Sequence, residues 1–331
     1  MQILADSEEP LGARVIASRL KDRGFELGER AVRYHLKILD ERGLTYLVGQ
    51  RDGRALTDKG ITEADSALVN DKVGFAISRV ENLAFRTTLD PLTGEGDVPV
   101  NISFFDRHDF SRSLRAMRPA FDAGLCASDM VAIGTEGQKL GDITVPEGKI
   151  GLATVCSIVY NGVMLKAGIP MDSKYGGILE YRDGKARRFT ELIDYTGCSL
   201  DPSTIFIRAR MTSVRNVVSS GNGLVLANYR EIPSICVHTA AGLIEHLGQL
   251  GFKGVVVIGQ SNEPVCEMPL NMNKAGLVLF GGLNPVALAE ETGTSSENKA
   301  GSTVMNFRDM MAFREAAIEF RDLVKFWKSH A

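Results

Sequence analysis

Over the first sixty residues the apolar positions follow helical spacing twice and strand spacing once. In residues 11–23 (LGARVIASRLKDR), Val15, Ile16, Ala17 and Leu20 fall on one side and Gly24 follows as a stop. That spacing predicts a helix of about three turns. Residues 29–42 repeat the pattern through Ala31, Val32, Tyr34, Leu36, Ile38 and Leu39, and Gly43 suits a left-handed C-terminal cap. Ahead of both, MQILA leaves room for little more than one turn of a first helix, so the natural first helix is expected to begin upstream of Met1. The period then changes to two: Leu44, Tyr46 and Val48 alternate, Asp52-Gly53 turns, and Ala55 and Leu56 return. Two helices with a tight turn, followed by a hairpin, predict a winged-helix domain over residues 1–60. In such domains the second helix lies in the DNA major groove.

Residues 61–92 are helical in pattern, polar at first and apolar later, and read as a connector. From 93 to 300 strand-like runs alternate with glycine-rich turns and a few helices, and the pattern occurs twice. VAIG at Val131 is followed fifteen residues on by KIGL at Lys149; VVIG at Val256 is followed at the same distance by KAGL at Lys274. The offset is 125 residues in both places, from Val131 to Val256 and from Lys149 to Lys274. NGVML at Asn161 matches NPVAL at Asn284, and an amphipathic helix ending at a glycine precedes each copy. Matched spacings with matched flanks predict a tandem duplication of an α/β (α+β) unit of about ninety residues. Junctions between paired units are preferred places for small ligands. In the last stretch, 301–331, large apolar residues recur at Phe307, Met310, Phe313, Ala317, Phe320, Val324 and Trp327. These steps predict a C-terminal amphipathic helix that docks on its own domain or dimerises.

Composition narrows the function classes. The 331 residues are 44% hydrophobic and 24% charged with a net charge of −3, an ordinary soluble globular profile. No apolar run reaches the roughly 18 residues of a membrane span, and the polar start lacks a signal-peptide core, so the expected location is cytoplasmic with no membrane partner. The five cysteines and five histidines are scattered without metal-ligand spacing, so no metal site is expected. DNA affinity must then come from local charge, because residues 1–60 hold eleven Lys and Arg against ten Asp and Glu, a balance of +1. The outer face of the second helix supplies it with Arg30, Arg33, Tyr34 and Lys37 at steps of three and four, and Arg51 and Arg54 flank the wing turn. These six are the candidate DNA-binding residues.

Between the repeats lies a polar insert, IPMDSKYGGILEYRDGKARRFTELIDYTGCSLDPSTIFI. Its Gly176 and Gly177 would let backbone approach a ligand, and Lys174, Arg187 and Arg188 could neutralise carboxylates. It carries no phosphate-loop or dinucleotide fingerprint. An enzyme with an appended winged helix would draw on Glu191, Asp194, Cys198 or His238, none of which forms a recognised nucleophile and base spacing, so no catalytic residue is assigned. A third reading has the winged helix serving RNA or protein recognition.

With GERAVRYHLKILDERGLT, the duplicated body, GLATVCSIVYNGVMLKAGIP and RRFTELIDYTGCSLDP, the chain resembles the NrpR family of nitrogen-responsive transcriptional repressors over nearly its whole length. The resemblance implies a homodimer on palindromic operators in double-stranded DNA of nitrogen-assimilation genes, with 2-oxoglutarate as the effector that weakens DNA binding. It implies an effector site in the segment from Thr154 to Lys166 and in the insert. A keto dicarboxylate needs cations and neutral donors. Lys166, Lys174, Arg188 and Arg230 are the available cations; Thr154, Ser157, Asn161 and Thr190 are the donors; Cys156, Gly176 and Gly177 lie among them. No cofactor beyond the effector is implied.

Overall fold

The computed structural model describes residues 1–7, 9–22, 27–49, 53–65 and 74–329. The chain forms two compact units, Met1–Lys72 and Val73–Ala331. Among the described residues no helix is long and apolar enough to cross a membrane, and no group of His, Cys, Asp and Glu is arranged to hold a metal ion.

The first unit runs through α1 (Gln2–Ala5), α2 (Ala13–Asp22), α3 (Glu29–Glu41), the hairpin β1 (Thr45–Gly49) and β2 (Gly53–Leu56), and α4 (Asp58–Asp65). Ile3, Leu4, Leu11, Ile16, Val32 and Leu36 form its core. Helix α3 ends as its pattern predicts. Gly43 takes φ +68°, its N–H donates to the Asp40 carbonyl, and Leu44 N–H donates to the Leu39 carbonyl. This paired, left-handed cap turns the chain into the hairpin. Leu11 and Arg54 exchange backbone hydrogen bonds of 3.0 Å each, tying the hairpin to the start of α2. Two predicted faces come out differently. Val15, expected inside, is 45% exposed, and Tyr46 and Val48 on β1 are 50% and 46% exposed. Three short helices already fill the small core, so the hairpin is left with little to cover.

The second unit opens with α5 (Phe75–Arg86). Its first half is β3 (Asp97–Asp106), α6 (Phe110–Asp122), β4 (Met130–Thr135), the short hairpin β5 (Lys139–Leu140) and β6 (Ile143–Thr144), β7 (Lys149–Val155), α7 (Ile158–Lys166), β8 (Asp172–Arg182) and β9 (Lys185–Asp194). Helices α8 (Pro202–Arg208) and α9 (Val214–Ser220) lead to the second half: β10 (Gly223–Pro233), α10 (Val237–Gln249), β11 (Val255–Ile258), β12 (Lys274–Phe280), α11 (Asn284–Glu291) and β13 (Glu297–Asn306). The chain closes with β14 (Met311–Ala312) and α12 (Phe313–Ser329).

Two antiparallel five-stranded sheets result, ordered β13-β3-β7-β4-β14 and β9-β8-β10-β12-β11. Strands β13, β3, β7 and β4 correspond in place to β8, β10, β12 and β11. The register agrees as well: Asn101 pairs with Thr154 where Asn228 pairs with Leu279, and Thr154 and Leu279 are the same position of the repeat. Each half also gives its last strand away. β8 belongs to the first half in sequence yet pairs with β10 of the second, and β13 belongs to the second yet pairs with β3 of the first. The halves are therefore interlocked, and α6 packs on α11.

The repeated glycines have a packing cause. Gly134 and Gly151 are cross-strand partners, and a side chain on either would press into Leu140 and Val145 of the short hairpin region that lies over them. In the second half a side chain on Gly259 would strike Val265, and one on Gly276 would strike the Tyr229 ring. The glycine pairs are where a neighbouring group lies flat on the sheet.

Two sequence expectations change. The region 61–92 is not one helix: α4 ends at Asp65, residues 66–73 lie outside the described residues, and α5 is an integral part of the second unit. Ala76, Val80, Leu83 and Ala84 of α5 are buried in a cluster with Cys156, Ile158 and Tyr195. The C-terminal helix starts at Phe313, not near 301, because residues 297–306 and 311–312 are strands of the first sheet. Phe313 stacks on Phe121 at 4.1 Å and Phe320 meets Phe110 edge-on at 4.7 Å, so the described part of the seam docks on its own domain. The side chains of Val324 and Trp327 lie outside the described residues.

Helix α5 lies so close to α7 that a Cβ on Gly162 would sit 2.2 Å from the Thr87 side chain. Gly162→Ala is expected to lower stability by about 1–3 kcal/mol through overpacking, read as a shift of the urea midpoint with unchanged slope.

Candidate functional site

Two places carry candidate chemistry, one in each unit. On α3, Val32 and Leu36 face the core while Arg30, Arg33, Tyr34 and Lys37 face outward. Tyr34 is 64% exposed and meets the His35 ring edge-on at 5.7 Å. Arg33 is bonded to Glu29 and Lys37 lies 3.9 Å from Glu41, each one turn away on the same helix. These exposed pairs are weak and readily exchanged for a stronger anion. Arg54 is engaged elsewhere: its Nε donates to Asp40 Oδ2 at 2.8 Å in a part-buried pair that braces the hairpin against the end of α3. Arg51 lies outside the described residues.

In the second unit the central feature is Arg230, on β10, which is 1% exposed. Its guanidinium forms no ion pair among the described residues. Nη1 donates to Ser173 Oγ at 3.1 Å, Nη2 donates to Ser157 Oγ at 3.2 Å, and the buried Nε has no partner. Each serine oxygen accepts a second bond: Ser157 from Asn228 Nδ2 at 3.1 Å and Ser173 from Asn161 Nδ2 at 3.1 Å. With both lone pairs used, each hydroxyl still has its own proton to donate. Tyr195 fixes Asn228 by donating its hydroxyl to Oδ1 at 2.7 Å. Burial pushes the guanidinium below its ordinary range, and burial raises the carboxyl of nearby Asp201, which caps α8 through Ser203 N–H at 2.8 Å. A cation in low dielectric whose hydrogen bonds run only to neutral oxygens, with Asp201 acting on it from beyond ion-pair distance, is incompletely compensated, and an anion in contact would relieve it.

Space for one lies beside it. A cavity of about 540 Å³ is lined by Val80, Glu81 and Ala84 of α5, Asn161 of α7, and Ser173 and Lys174 of β8. Arg230 stands one hydrogen bond behind this wall, through Ser173. Asn161 Oδ1 is buried without a partner. Lys174 stands 3.8 Å from Asp172 and 3.9 Å from Glu231.

The predicted effector residues thus divide. Ser157, Asn161, Lys174 and Arg230 converge on one site. Cys156 is buried beside it, and burial pushes its thiol up to about 11, so it stays a neutral packing group. Thr154 is buried on β7 and accepts from Asn101 Nδ2 at 3.3 Å, without reaching Arg230. Lys166 points to the far end of α5, where Nζ donates to the Phe85 carbonyl at 3.0 Å and sits over its ring. Arg188 pairs with Glu180 at 3.1 Å on the exposed strand β9, and Thr190 on that strand donates to the Ile178 carbonyl at 3.4 Å. Gly176 and Gly177 admit protein, not ligand: side chains there would strike Pro202 and Phe189. Of the groups an enzyme would need, Glu191 and Asp194 lie on β9, Cys198 donates to the Leu200 carbonyl at 2.7 Å, and His238 opens α10.

Ser173, Asn228 and Tyr195 join the site without being among the predicted residues, as does the wall supplied by α5, although Ser173 lies in the polar insert and Tyr195 in RRFTELIDYTGCSLDP. Asn228 is within reach of sequence reasoning, because it stands two residues from Arg230 on one strand and so shares its face. Nothing local marks the α5 wall.

Comparison with known proteins follows the same division. A family model described as NrpR regulatory domains NRD1 and 2 matches residues 73–312, and one described as the ribonuclease R winged-helix domain matches residues 1–64. Global nitrogen regulator NrpRI of Methanosarcina mazei is 43% identical over 310 residues, covering 94% of this chain and 95% of the relative. Global nitrogen regulator NrpR of Methanococcus maripaludis is 32% identical over 312 residues, covering 94% of this chain; the chain spans about half, 54%, of that relative's length. Among solved structures, a nitrogen repressor-like protein from Methanococcus jannaschii superposes with a TM-score of 0.62 at 28% identity, covering 72% of this chain and 98% of the other. The relatives are named as regulators, not enzymes.

Two outcomes follow from the buried site. Arg230→Met, tested without ligand, is expected to keep or raise stability by about 1–3 kcal/mol in urea unfolding, because Ser157 and Ser173 each retain another partner; a loss of that size would show that the guanidinium is a structural strut. Cys126 and Cys156, whose thiols burial holds at about 12 and about 11, are expected to stay unalkylated by iodoacetamide at pH 8 in the native protein and to react after denaturation, read by mass spectrometry.

Proposed function

The chain belongs to the NrpR family of global nitrogen regulators, and on that premise we propose that it is a repressor of nitrogen-assimilation genes released from DNA by 2-oxoglutarate. It binds a palindromic operator as a homodimer through α3, with Arg30, Arg33, Tyr34 and Lys37 toward the major groove. Recognition helices related by a twofold axis meet half-sites about one turn of DNA, roughly 34 Å, apart. The wing is a weaker contributor than the sequence pattern implies, since Arg54 is committed to Asp40.

The observation that supports an anionic effector is the buried guanidinium of Arg230, without an ion pair among the described residues, behind a cavity whose largely apolar wall carries Asn161, Ser173 and Lys174. One carboxylate of 2-oxoglutarate would meet Arg230 and the free protons of Ser157 and Ser173, and the distal carboxylate would draw Lys174 from Asp172 and Glu231. The wall helix α5 is also the first helix of the second unit, joined in sequence through residues 66–73 to the winged helix. Filling the cavity would press on that helix and so bias the DNA-binding unit. A coupling of about 2 kcal/mol would change operator affinity roughly thirtyfold.

Gel-shift titration at fixed salt tests the proposal. Saturating 2-oxoglutarate should weaken operator binding about thirtyfold for the natural chain and leave Arg230→Met unchanged; an effector-insensitive natural chain would sink it. Reversing charge with Arg33→Glu and Lys37→Glu should abolish duplex DNA binding while the circular dichroism spectrum stays the same. Milder substitution of either cation by Gln should lower the salt slope by about 0.9 for every DNA phosphate left without its cation. Unchanged binding would favour recognition of RNA or protein.

A further inference from the structure

The duplication makes two copies of the scaffold around Arg230, and we infer that only one of them holds an anion, so that each chain carries a single effector site. The inference rests on the effector reading above and concerns how many ligands that reading allows.

The paired registers and the repeat offset identify the counterparts of Arg230, Ser173, Ser157 and Asn228. Arg230 pairs across the sheet with Leu277 of KAGL, and in the first half Ser103 pairs with Leu152 of KIGL. Ser103 therefore stands where Arg230 stands. It is fully buried and its hydroxyl has no partner. On the opposite neighbour, Arg230 faces Ser173 and Ser103 faces Asn298. The Asn298 amide is turned away to Glu290, at 3.0 Å. Ser157 lies two residues past the end of β7, and the same position past β12 is Gly282.

Each change removes something an anion needs. The cation becomes a serine, one hydroxyl becomes a glycine, and the other becomes an amide bonded to a carboxylate. Space is reduced too: a Cβ on Gly282 would lie 2.3 Å from the Val155 carbonyl and 2.6 Å from Asn101 Nδ2, so the start of α11 rests on the sheet. Asn101, counterpart of Asn228, is spent within the fold, its Oδ1 accepting from Gly301 N–H at 2.9 Å. The two halves thus share one backbone plan, with the ligand chemistry in one and packing in the other.

Isothermal titration of 2-oxoglutarate into the full chain tests this. One equivalent per chain is expected, with Arg230→Ser, which makes the halves alike at that position, weakening binding by at least about a hundredfold and leaving no residual event. Ser103→Ala should change neither stoichiometry nor affinity. Ser157→Ala, a smaller change that leaves the guanidinium in place, should weaken the single event about tenfold without exposing a second, unaffected one. Two equivalents in the natural chain would overturn the single-site inference while leaving the effector reading intact, whereas one equivalent retained at natural affinity by Arg230→Ser or Ser157→Ala would overturn the placement of the site at Arg230 and with it that reading. No binding by the natural chain would overturn both.

Discussion

A guanidinium taken out of water with no carboxylate bonded to it is the constraint around which the second unit is arranged. Arg230 is among the largest of the fully buried side chains, and its hydrogen bonds run to serines, not to a counter-charge. Burying an unpaired charge is costly enough that folds ordinarily pair it or neutralise it. Here the surroundings soften the cost without removing it: Ser157 and Ser173 turn their oxygens inward because Asn228 and Asn161 hold them there, and Tyr195 holds Asn228. A site arranged this way is short of one negative charge.

The interlocked duplication explains how so unfavourable a group is held. Arg230 sits on the central strand of its sheet, flanked by β12 from its own half and by β8 from the other. The serines come from two further places, the end of β7 and the start of β8, so segments distant in sequence must be in place before the guanidinium has any partner. A single half could not build this. Exchange of the last strand makes each sheet depend on both halves, and the site lies where that dependence is greatest. Helix α5 closes the cavity from outside.

Much of this was legible in the chain and some was not. The glycine cap after α3, the hairpin and the 125-residue repeat all depend on local rules, and each is present. Arg230, Ser157, Asn161 and Lys174 were within reach because they lie in or near distinctive motifs. Arg188, Thr190, Lys166, Gly176 and Gly177 share those motifs and have other partners. Nearness in sequence could not separate the two sets, because neighbours on a strand point to opposite faces and the end of a helix can be a turn or more from its start. The C-terminal region failed for a related reason: its apolar steps fit a helix, but residues 297–306 meet an open sheet edge at β3, and backbone pairing there prevails over periodicity.

What the sequence by itself determined is whatever arises within a few residues or repeats at a fixed offset: helix caps, turns, amphipathic faces, and the existence of two copies of one unit. What only the tertiary structure decided is which side chains share a volume and which charges are compensated. Arg33, Lys37, Arg54, Arg188 and Arg230 are all cations in the sequence. Four of them stand in ion pairs with carboxylates, and the fifth has no ion pair among the described residues. Compensation is a matter of distance and dielectric, and both are properties of the folded chain.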